Sequence, residues 1–352
     1  MSAQNRRTPG SGSRLDLQHG IVDMSHGSGG RAMAQLIDEL FCKHLDNELL
    51  AQGNDQACFR PPAGRLAIST DGHVVSPLFF PGGDIGSLAV HGTVNDIAMC
   101  GARPLYLAAG FILEEGLPLH DLARIVQSLA QAANAAGVAV ITGDTKVVEQ
   151  GHGDGCFITT TGIGLVPDNI HISGDRARPG DAILINGTIG DHGVAILSKR
   201  ENLGFDTEIR SDSAALHDLV AAMLAVAPDL HCLRDPTRGG LGTALNELAQ
   251  QSDVGIYIHE PAIPVRPEVS AACELLGLDP LYVANEGKLI AICPALRAKT
   301  VLQTMRAHPL GRDAAIIGRV IDDPHRFVQM ETSFGGNRIV DWPAGEQLPR
   351  IC

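Results

Sequence analysis

A chain of 352 residues at net charge −13, 44% of it hydrophobic, is long enough for about two ordinary domains with buried cores. That acidic balance repels nucleic acid and anionic lipid, so neither is expected as a partner, and a nucleotide is tolerated only if cations mediate. No apolar run approaches the ~20 residues that cross a bilayer, and the eight cysteines (42, 58, 100, 156, 232, 273, 293 and 352) show no C-x-x-C spacing, which fits reduced thiols in a cytoplasmic protein.

Aromatics at 4% leave the core to Ala, Val, Leu and Ile, and 40 glycines imply tight turns and close backbone approaches. Residues 2–13 carry Arg6-Arg7 and then Pro, Gly and Ser without a hydrophobic segment. They read as the start of a disordered extension over 1–20 rather than a signal peptide. His26-Gly-Ser-Gly-Gly30 then opens an amphipathic helix with Met33, Leu36, Ile37, Leu40 and Phe41 on one face. Gly27-x-Gly29-x-x-Ala32 mimics a dinucleotide fingerprint, but only Ile21-Val22 precedes it, and the fingerprint needs a strong strand there.

An extended stretch ends at Asp71, a turn spans Pro81-Gly-Gly-Asp84, and a helix is predicted over 85–99. Strands are predicted over 105–113, 138–142 and 156–166, with a helix over 120–136 that aligns Leu122, Ile125, Val126, Leu129 and Ala133. Pro167-Asp168-Asn169 marks a domain boundary. Beyond it the pattern predicts strands over 182–186, 254–258, 289–293 and 314–320, and helices from a glycine turn at 190–193 and over 214–227, 241–251 and 268–276. Regular pattern fades after Asp322, and the two prolines between 343 and 352 read as an extended tail. The expected fold class is α/β (α+β), with an N-terminal domain over 21–168, a C-terminal domain over 169–330 and a flexible tail over 331–352.

Asp71, Asp96, Asp144 and Asp235 each lie after an apolar strand or in a turn. Any one of them is ordinarily a turn former or a cap; four together suit a magnesium–phosphate site, because hard carboxylate oxygens and phosphates satisfy that ion. Asp84 is twelve residues before Asp96, roughly 18 Å along a helix. It therefore caps that helix or serves another site, across a dimer interface for example. Lys146 follows Asp144 in a Thr/Gly context that suits phosphate neutralisation, and Glu286 sits in a polar turn between apolar runs. No Walker A motif is present, and the histidines lack metal-ligand spacing. The last residue is a thiol, Cys352, which reads either as an incidental end or as a carried substrate.

His26-Gly-Ser-Gly-Gly30, Ser69-Thr-Asp-Gly72, Pro81-Gly-Gly-Asp-Ile-Gly86, Val94-Asn-Asp-Ile-Ala-Met99, Thr142-Gly-Asp-Thr-Lys-Val147, Arg234-Asp-Pro-Thr-Arg-Gly-Gly240, Asn285-Glu-Gly287 and the final Pro-Arg-Ile-Cys resemble the HypE family of hydrogenase maturation proteins. The central motifs belong to the wider superfamily of aminoimidazole ribonucleotide synthetase, selenophosphate synthetase and thiamine-monophosphate kinase. The final tetrapeptide points to HypE itself.

The resemblance implies a mixed sheet that forms a dimeric β-barrel-like core in the N-terminal domain, an α/β sandwich in the C-terminal domain, and ATP with Mg²⁺. It implies nucleotide binding by Gly29, Gly30, Asp71, Asp84, Asn95, Asp96, Asp144, Thr145 and Asp235, the metal falling to Asp71, Asp96, Asp144 and Asp235. Cys352 would receive a carbamoyl group from a HypF-type carbamoyltransferase. ATP-dependent dehydration would turn the thiocarboxamide into a thiocyanate, and the cyanide would pass to iron on a HypC–HypD-type scaffold. Glu286 is the candidate base, a role Lys146 could share. A different ATP-dependent synthetase or kinase of the superfamily, or a non-catalytic thiol carrier, are the alternatives. His26–Arg31 lacks the reactive Cys and Lys expected of selenophosphate synthetase.

Overall fold

The computed structural model describes residues 14–203, 209–343 and 350–352. The sequence expectations for residues 1–13 and for the middle of the tail, 344–349, lie outside the described residues. Residues 14–20 of the expected disordered extension are described, and they are anchored. Leu15 and Leu17 pack on the N-terminal core, and the Leu15 N–H donates to Glu39 at 2.8 Å.

The first unit begins with α1 (Arg31–Leu36), which passes through a π turn (Ile37–Phe41) into α2 (Cys42–His44) and buries Leu36, Leu40 and Phe41. Next come β1 (Arg65–His73), the small hairpin of β2 (Phe79–Phe80) and β3 (Gly83–Asp84), and α3 (Ile85–Met99). They are followed by β4 (Arg103–Glu114), α4 (Leu119–Ala135), β5 (Ala139–Val148) and β6 (Cys156–Val166). The four long strands form one sheet in the order β1-β6-β4-β5, with β4 and β5 parallel and the other pairs antiparallel.

Helix α3 is buried along most of its length, because it is enclosed by the sheet, by α4, and by the second unit through Ala98 and Met99. Its start needs Gly86, where a Cβ would stand 2.2 Å from the Ile125 carbonyl of α4. The opposite sheet face is open, with Leu66, Ile68 and Ile112 exposed at 47%, 69% and 41%.

The second unit contains β7 (Ala182–Ile185), α5 (Asp191–Arg200), α6 (His217–Val226), β8 (Cys232–Arg234), α7 (Gly240–Ser252), β9 (Gly255–His259), α8 (Pro267–Leu276), β10 (Ile290–Cys293), α9 (Ala295–Ala307), β11 (Ala315–Ile321), β12 (Val328–Glu331) and β13 (Asn337–Ile339). The strands form a seven-stranded sheet in the order β13-β12-β9-β11-β7-β10-β8. Alternation fills both faces. Ile183 and Ile185 face a core with Leu241, Leu245 and Leu248 of α7, whereas Leu184 faces Leu219 and Met223 of α6 and Val301 and Met305 of α9. The break at Pro167-Asp168-Asn169 falls between the two sheets, since β6 ends at Val166 and β7 begins at Ala182.

Two expectations are corrected. Regular structure does not fade after Asp322, because β12 pairs in parallel with β9 and β13 closes a hairpin on it; the residues from 331 to 339 belong to the sheet rather than to a free tail. Lys146 and Asp144 are not in a loop either. The strand expected to stop at Thr142 runs on to Val148, carried past Gly143 by parallel pairing with β4 as far as Glu114.

Candidate functional site

The tail returns to the seam between the two units. Ile351 bridges Val75 in antiparallel register, the Val74 N–H donates to Cys352 O at 3.0 Å, and the Ser76 N–H donates to Arg350 O at 3.2 Å. The His192 Nε2–H donates to the Ile351 carbonyl at 2.7 Å, which leaves Nδ1 to accept from the Ser211 hydroxyl at 2.7 Å. Burial lowers the His192 pKa, consistent with this neutral tautomer. Ile351 is 4% exposed among the N-terminal core residues.

This docking sets Cys352 beside acidic groups from both units. Burial, then the charge of Glu286, pushes the thiol pKa upward, with Asp71 and Asp235 adding to the effect and Arg238 opposing it. Asp71 lies inside β1, where its Oδ1 accepts from the Gly72 N–H at 2.8 Å and its Oδ2 stands 3.3 Å from His73 Nε2. Asp96, on α3, accepts from the Ser69 hydroxyl at 2.7 Å, and burial followed by Asp71 outweighs that bond to raise its pKa. Asp235 follows β8, and burial together with Asp96 pushes it up to about 7. Asp96 and Asp235 each feel the neighbouring carboxylates, while Arg234 opposes the effect at both and Arg238 at Asp96.

Glu286 is the most buried member of the group. It is 4% exposed, its Oε1 has no partner among the described residues, and burial followed by Asp212, Asp235, Asp71 and Asp96 raises its pKa well above the usual range. The loop that carries it is held from all sides. Its N–H donates to Asp212 Oδ1 at 3.1 Å, its carbonyl accepts from Asn95 at 3.1 Å, and Asn285 links Gly190 N–H (2.8 Å) to the Pro236 carbonyl (2.9 Å). Gly287 must be glycine, because a Cβ there would stand 1.8 Å from Asp212 O. Asp212 itself is buried against Lys288 at 2.8 Å; burial raises its pKa, but Lys288 and the donated hydrogen bonds outweigh that and hold it low.

The remaining sequence candidates lie elsewhere or do other work. Asp84 caps α3, accepting from Gly86 N–H at 2.8 Å and Ser87 N–H at 3.1 Å. Asn95 spends both amide hydrogens on the Ala214 and Glu286 carbonyls, and its oxygen accepts from the Leu216 N–H. It therefore joins the two units, with no free donor for a nucleotide. Asp144 pairs with Lys146 at 2.6 Å, both exposed, and that hydrogen bond, ahead of other causes, lowers its pKa. Register places Asp71 opposite Thr160, Thr160 opposite Ala109, and Ala109 opposite Gly143. Three strand spacings, about 14 Å, thus separate Asp144, Thr145 and Lys146 from Asp71. Gly29 and Gly30 lie on this distant side as well, in the turn whose Gly27 packs against Val147.

Sequence reasoning missed Asp212, His73, His192 and Arg238. Only Arg238 carried a signal, by standing in the Arg-Asp-Pro-Thr-Arg motif.

The donor set fits magnesium through Asp71, Asp96 and Asp235, which are hard oxygens within electrostatic reach of one another. Asp144, paired with Lys146, lies apart from these three in one chain. Among the described residues no three His, Cys, Asp or Glu side chains close on a metal by themselves. That agrees with an ion held by one or two carboxylates and completed by phosphate. A cavity of about 540 Å³ adjoins them, lined by Ser69, Asp96, Met99, Ile172, Gly174 and Asp235. Among the described residues no helix is long and apolar enough to cross a membrane.

Residues 53–166 match the N-terminal domain, and residues 178–331 the C-terminal domain, of AIR synthase related proteins. The chain is 72% identical to carbamoyl dehydratase HypE of Azotobacter vinelandii over 97% of its own length and 100% of that protein's. It is 70% identical to carbamoyl dehydratase HypE of Cupriavidus necator, covering 96% of itself and 97% of the relative. A crystal structure of hydrogenase maturation protein HypE in complex with ATP superposes with a TM-score of 0.91 at 53% identity, covering 94% of this chain and 99% of that one. HypE in a HypE–HypF complex matches at 0.77 and 48% identity, over 88% and 99% of the two chains. On this likeness, which extends over both domains, the chain belongs to the HypE family of hydrogenase maturation proteins.

Proposed function

We propose that the chain is an ATP-dependent carbamoyl dehydratase that acts on its own Cys352. The observation that carries this reading is the docking of Cys352 by Val74 into electrostatic contact with Glu286, Asp71 and Asp235. It is supported by relatives named carbamoyl dehydratase and by the related ATP complex.

In this reading a carbamoyl group on Sγ is phosphorylated on oxygen by ATP. Phosphate then leaves with the C–O bond, the amide nitrogen gives up its protons, and a thiocyanate remains. The tail positions the thiocarboxamide, the buried seam excludes water, and Glu286 receives a proton through its unpartnered Oε1. An elevated pKa makes its carboxylate the stronger base once ionised. Magnesium would be held by Asp71, Asp96 and Asp235 and would offset phosphate charge. A HypF-type carbamoyltransferase loads the thiol, in keeping with the related HypE–HypF complex, and the cyanide passes to an iron-bearing scaffold of HypC–HypD type.

Two copies of the chain make the working unit. The open sheet face with Leu66, Ile68 and Ile112 would be covered by its counterpart, closing a β-barrel-like core. Phosphoryl transfer needs positive charge at the phosphates, and Lys146 is about 14 Å from Asp71 along its own sheet. Arg238 of the same chain faces Cys352 and Lys288 is taken up by Asp212; a second copy would add its Lys146 to that charge.

Intact mass spectrometry tests the reading. After incubation with the carbamoyltransferase and carbamoyl phosphate, Cys352 should carry one carbamoyl group, and MgATP should then remove the mass of one water. An adduct that persists unchanged in MgATP, or no adduct, overturns it.

A further inference from the structure

The seat of the tail is a peptide-binding site with side-chain selectivity. Backbone pairing with residues 74–76 would accept any sequence, yet each of the last residues also meets a dedicated partner. Arg350 Nη1 lies 3.0 Å from both carboxylate oxygens of Asp154. Arg200 bridges the two strands, donating through Nε to the Ser76 carbonyl at 2.8 Å and through Nη2 to the Arg350 carbonyl at 2.5 Å. Ile351 is buried among core residues, and a Cβ added at Gly193 on α5 would stand 3.3 Å from its Cδ1. His192, the residue before Gly193, holds the Ile351 carbonyl.

Arg350 is informative for a second reason. Its φ is +54°, a left-handed conformation that glycine or asparagine adopts more readily. The backbone therefore does not call for arginine here. The contact that uses the side chain is Asp154.

We propose that residues 74–76, Asp154, His192, Gly193 and Arg200 form a groove that selects a basic–aliphatic–cysteine segment, and that it accepts such a segment in trans as well as its own tail. Selection is divided by chemistry. The buried isoleucine and the two backbone hydrogen bonds hold the segment, whereas the exposed Arg350–Asp154 pair discriminates by charge and contributes little affinity. The consequence is that the site admits the Arg-Ile-Cys end and excludes other thiol-bearing segments from the dehydration centre. The inference relies on the proposed function only for its purpose, not for its geometry.

The test measures binding without nucleotide or turnover. The receptor is the full-length Ile351→Asp variant, whose own tail no longer fits the groove; its fold is checked by circular dichroism. A fluorescein-labelled peptide Leu-Pro-Arg-Ile-Cys should raise anisotropy saturably. Replacing its Ile by Ala should weaken binding roughly tenfold or more, and replacing its Arg by Ala only about two- to fivefold. Replacing its Arg by Asp should weaken binding about tenfold, and introducing Asp154→Arg in the receptor should restore it to within a few-fold. No saturable binding, indifference to the Ile change, or failure of the charge swap to restore binding overturns the groove. Peptide selectivity without loss of water from a carbamoylated tail would instead leave the groove standing and remove the proposed function.

Discussion

Asn95 on α3 of the first unit donates its side-chain amide to the backbone carbonyl of Glu286 in the second, at 3.1 Å. The same amide donates to Ala214 O, and its oxygen receives the Leu216 N–H at 2.8 Å, so one side chain fixes two loops of the other unit. The position of Glu286 against Cys352 thus depends on the joint between the units as well as on its own loop.

Asn95→Ala removes all three bonds and leaves buried backbone groups without partners. An unsatisfied buried group costs about 1–3 kcal/mol, so stability should fall by roughly 2–4 kcal/mol. Urea denaturation should show a lower midpoint with an unchanged slope. Turnover should fall further than stability explains at a temperature where the variant remains folded, because Glu286 is no longer aimed.

Glu286→Gln keeps the shape and the backbone contacts but removes the carboxylate. Dehydration of a carbamoylated tail should fall at least about 100-fold, the scale of a lost general base, with nucleotide affinity unchanged. The variant should also melt higher at pH 8, since a buried carboxylate crowded by Asp212, Asp235, Asp71 and Asp96 is relieved. Full turnover by this variant would remove Glu286 from the proton transfer.

Much of this arrangement is legible in the sequence, and the exceptions have physical causes. The helix expected over 85–99 is α3, because its apolar residues and the Asp84 cap are local signals. Strand β5 overran its expected end because pairing with β4, a tertiary effect, overrides the glycine at 143. Strands β12 and β13, of four and three residues, are too short to show a period, and β12 depends on a partner some seventy residues earlier. Asp212 stands in Ser211-Asp-Ser213, which reads as any polar turn; its contacts with Glu286, Gly287 and Lys288 are more than seventy residues away. The gathering of Asp71, Asp96, Asp235 and Glu286 into one group requires the two units to meet, which no local pattern encodes.

The carboxylates make a pH prediction with a definite sign. Asp235 moves from 3.8 to about 7 on folding, and Asp96 and Glu286 move in the same direction, for burial first and mutual repulsion second. A carboxyl group whose folded pKa is raised holds its proton more tightly in the folded state. Its stabilising effect is therefore complete below about pH 4 and lost as pH rises toward 7. For Asp235 alone the loss is on the order of 4 kcal/mol. Thermal melts without divalent ions should show a higher midpoint at pH 6 than at pH 8. Magnesium should raise the midpoint more at pH 8 than at pH 6, because cations offset the ionised cluster. A midpoint that rises from pH 6 to pH 8 without magnesium would show that other groups dominate.

The distance between Lys146 and the Cys352 cluster makes the most decisive prediction. If the phosphate-neutralising lysine comes from a second copy, then Lys146→Ala and Glu286→Gln damage complementary halves of one site. Each variant alone should be inactive. Unfolding and refolding them together in equal amounts gives about half mixed dimers, each with one intact site and one doubly altered site, so activity should return to roughly a quarter of the wild-type level. A site built from one chain gives no such recovery, because every protomer in the mixture carries a defect in its own site. Gel filtration of the refolded mixture confirms that dimers formed, and tagging one variant isolates the mixed species. Its specific activity should be about half that of the wild-type dimer. Inactive mixed dimers would return Lys146 to its own chain's site, an active Lys146→Ala variant would place it outside the reaction centre, and either result would make the proposed sharing of the site across two copies wrong.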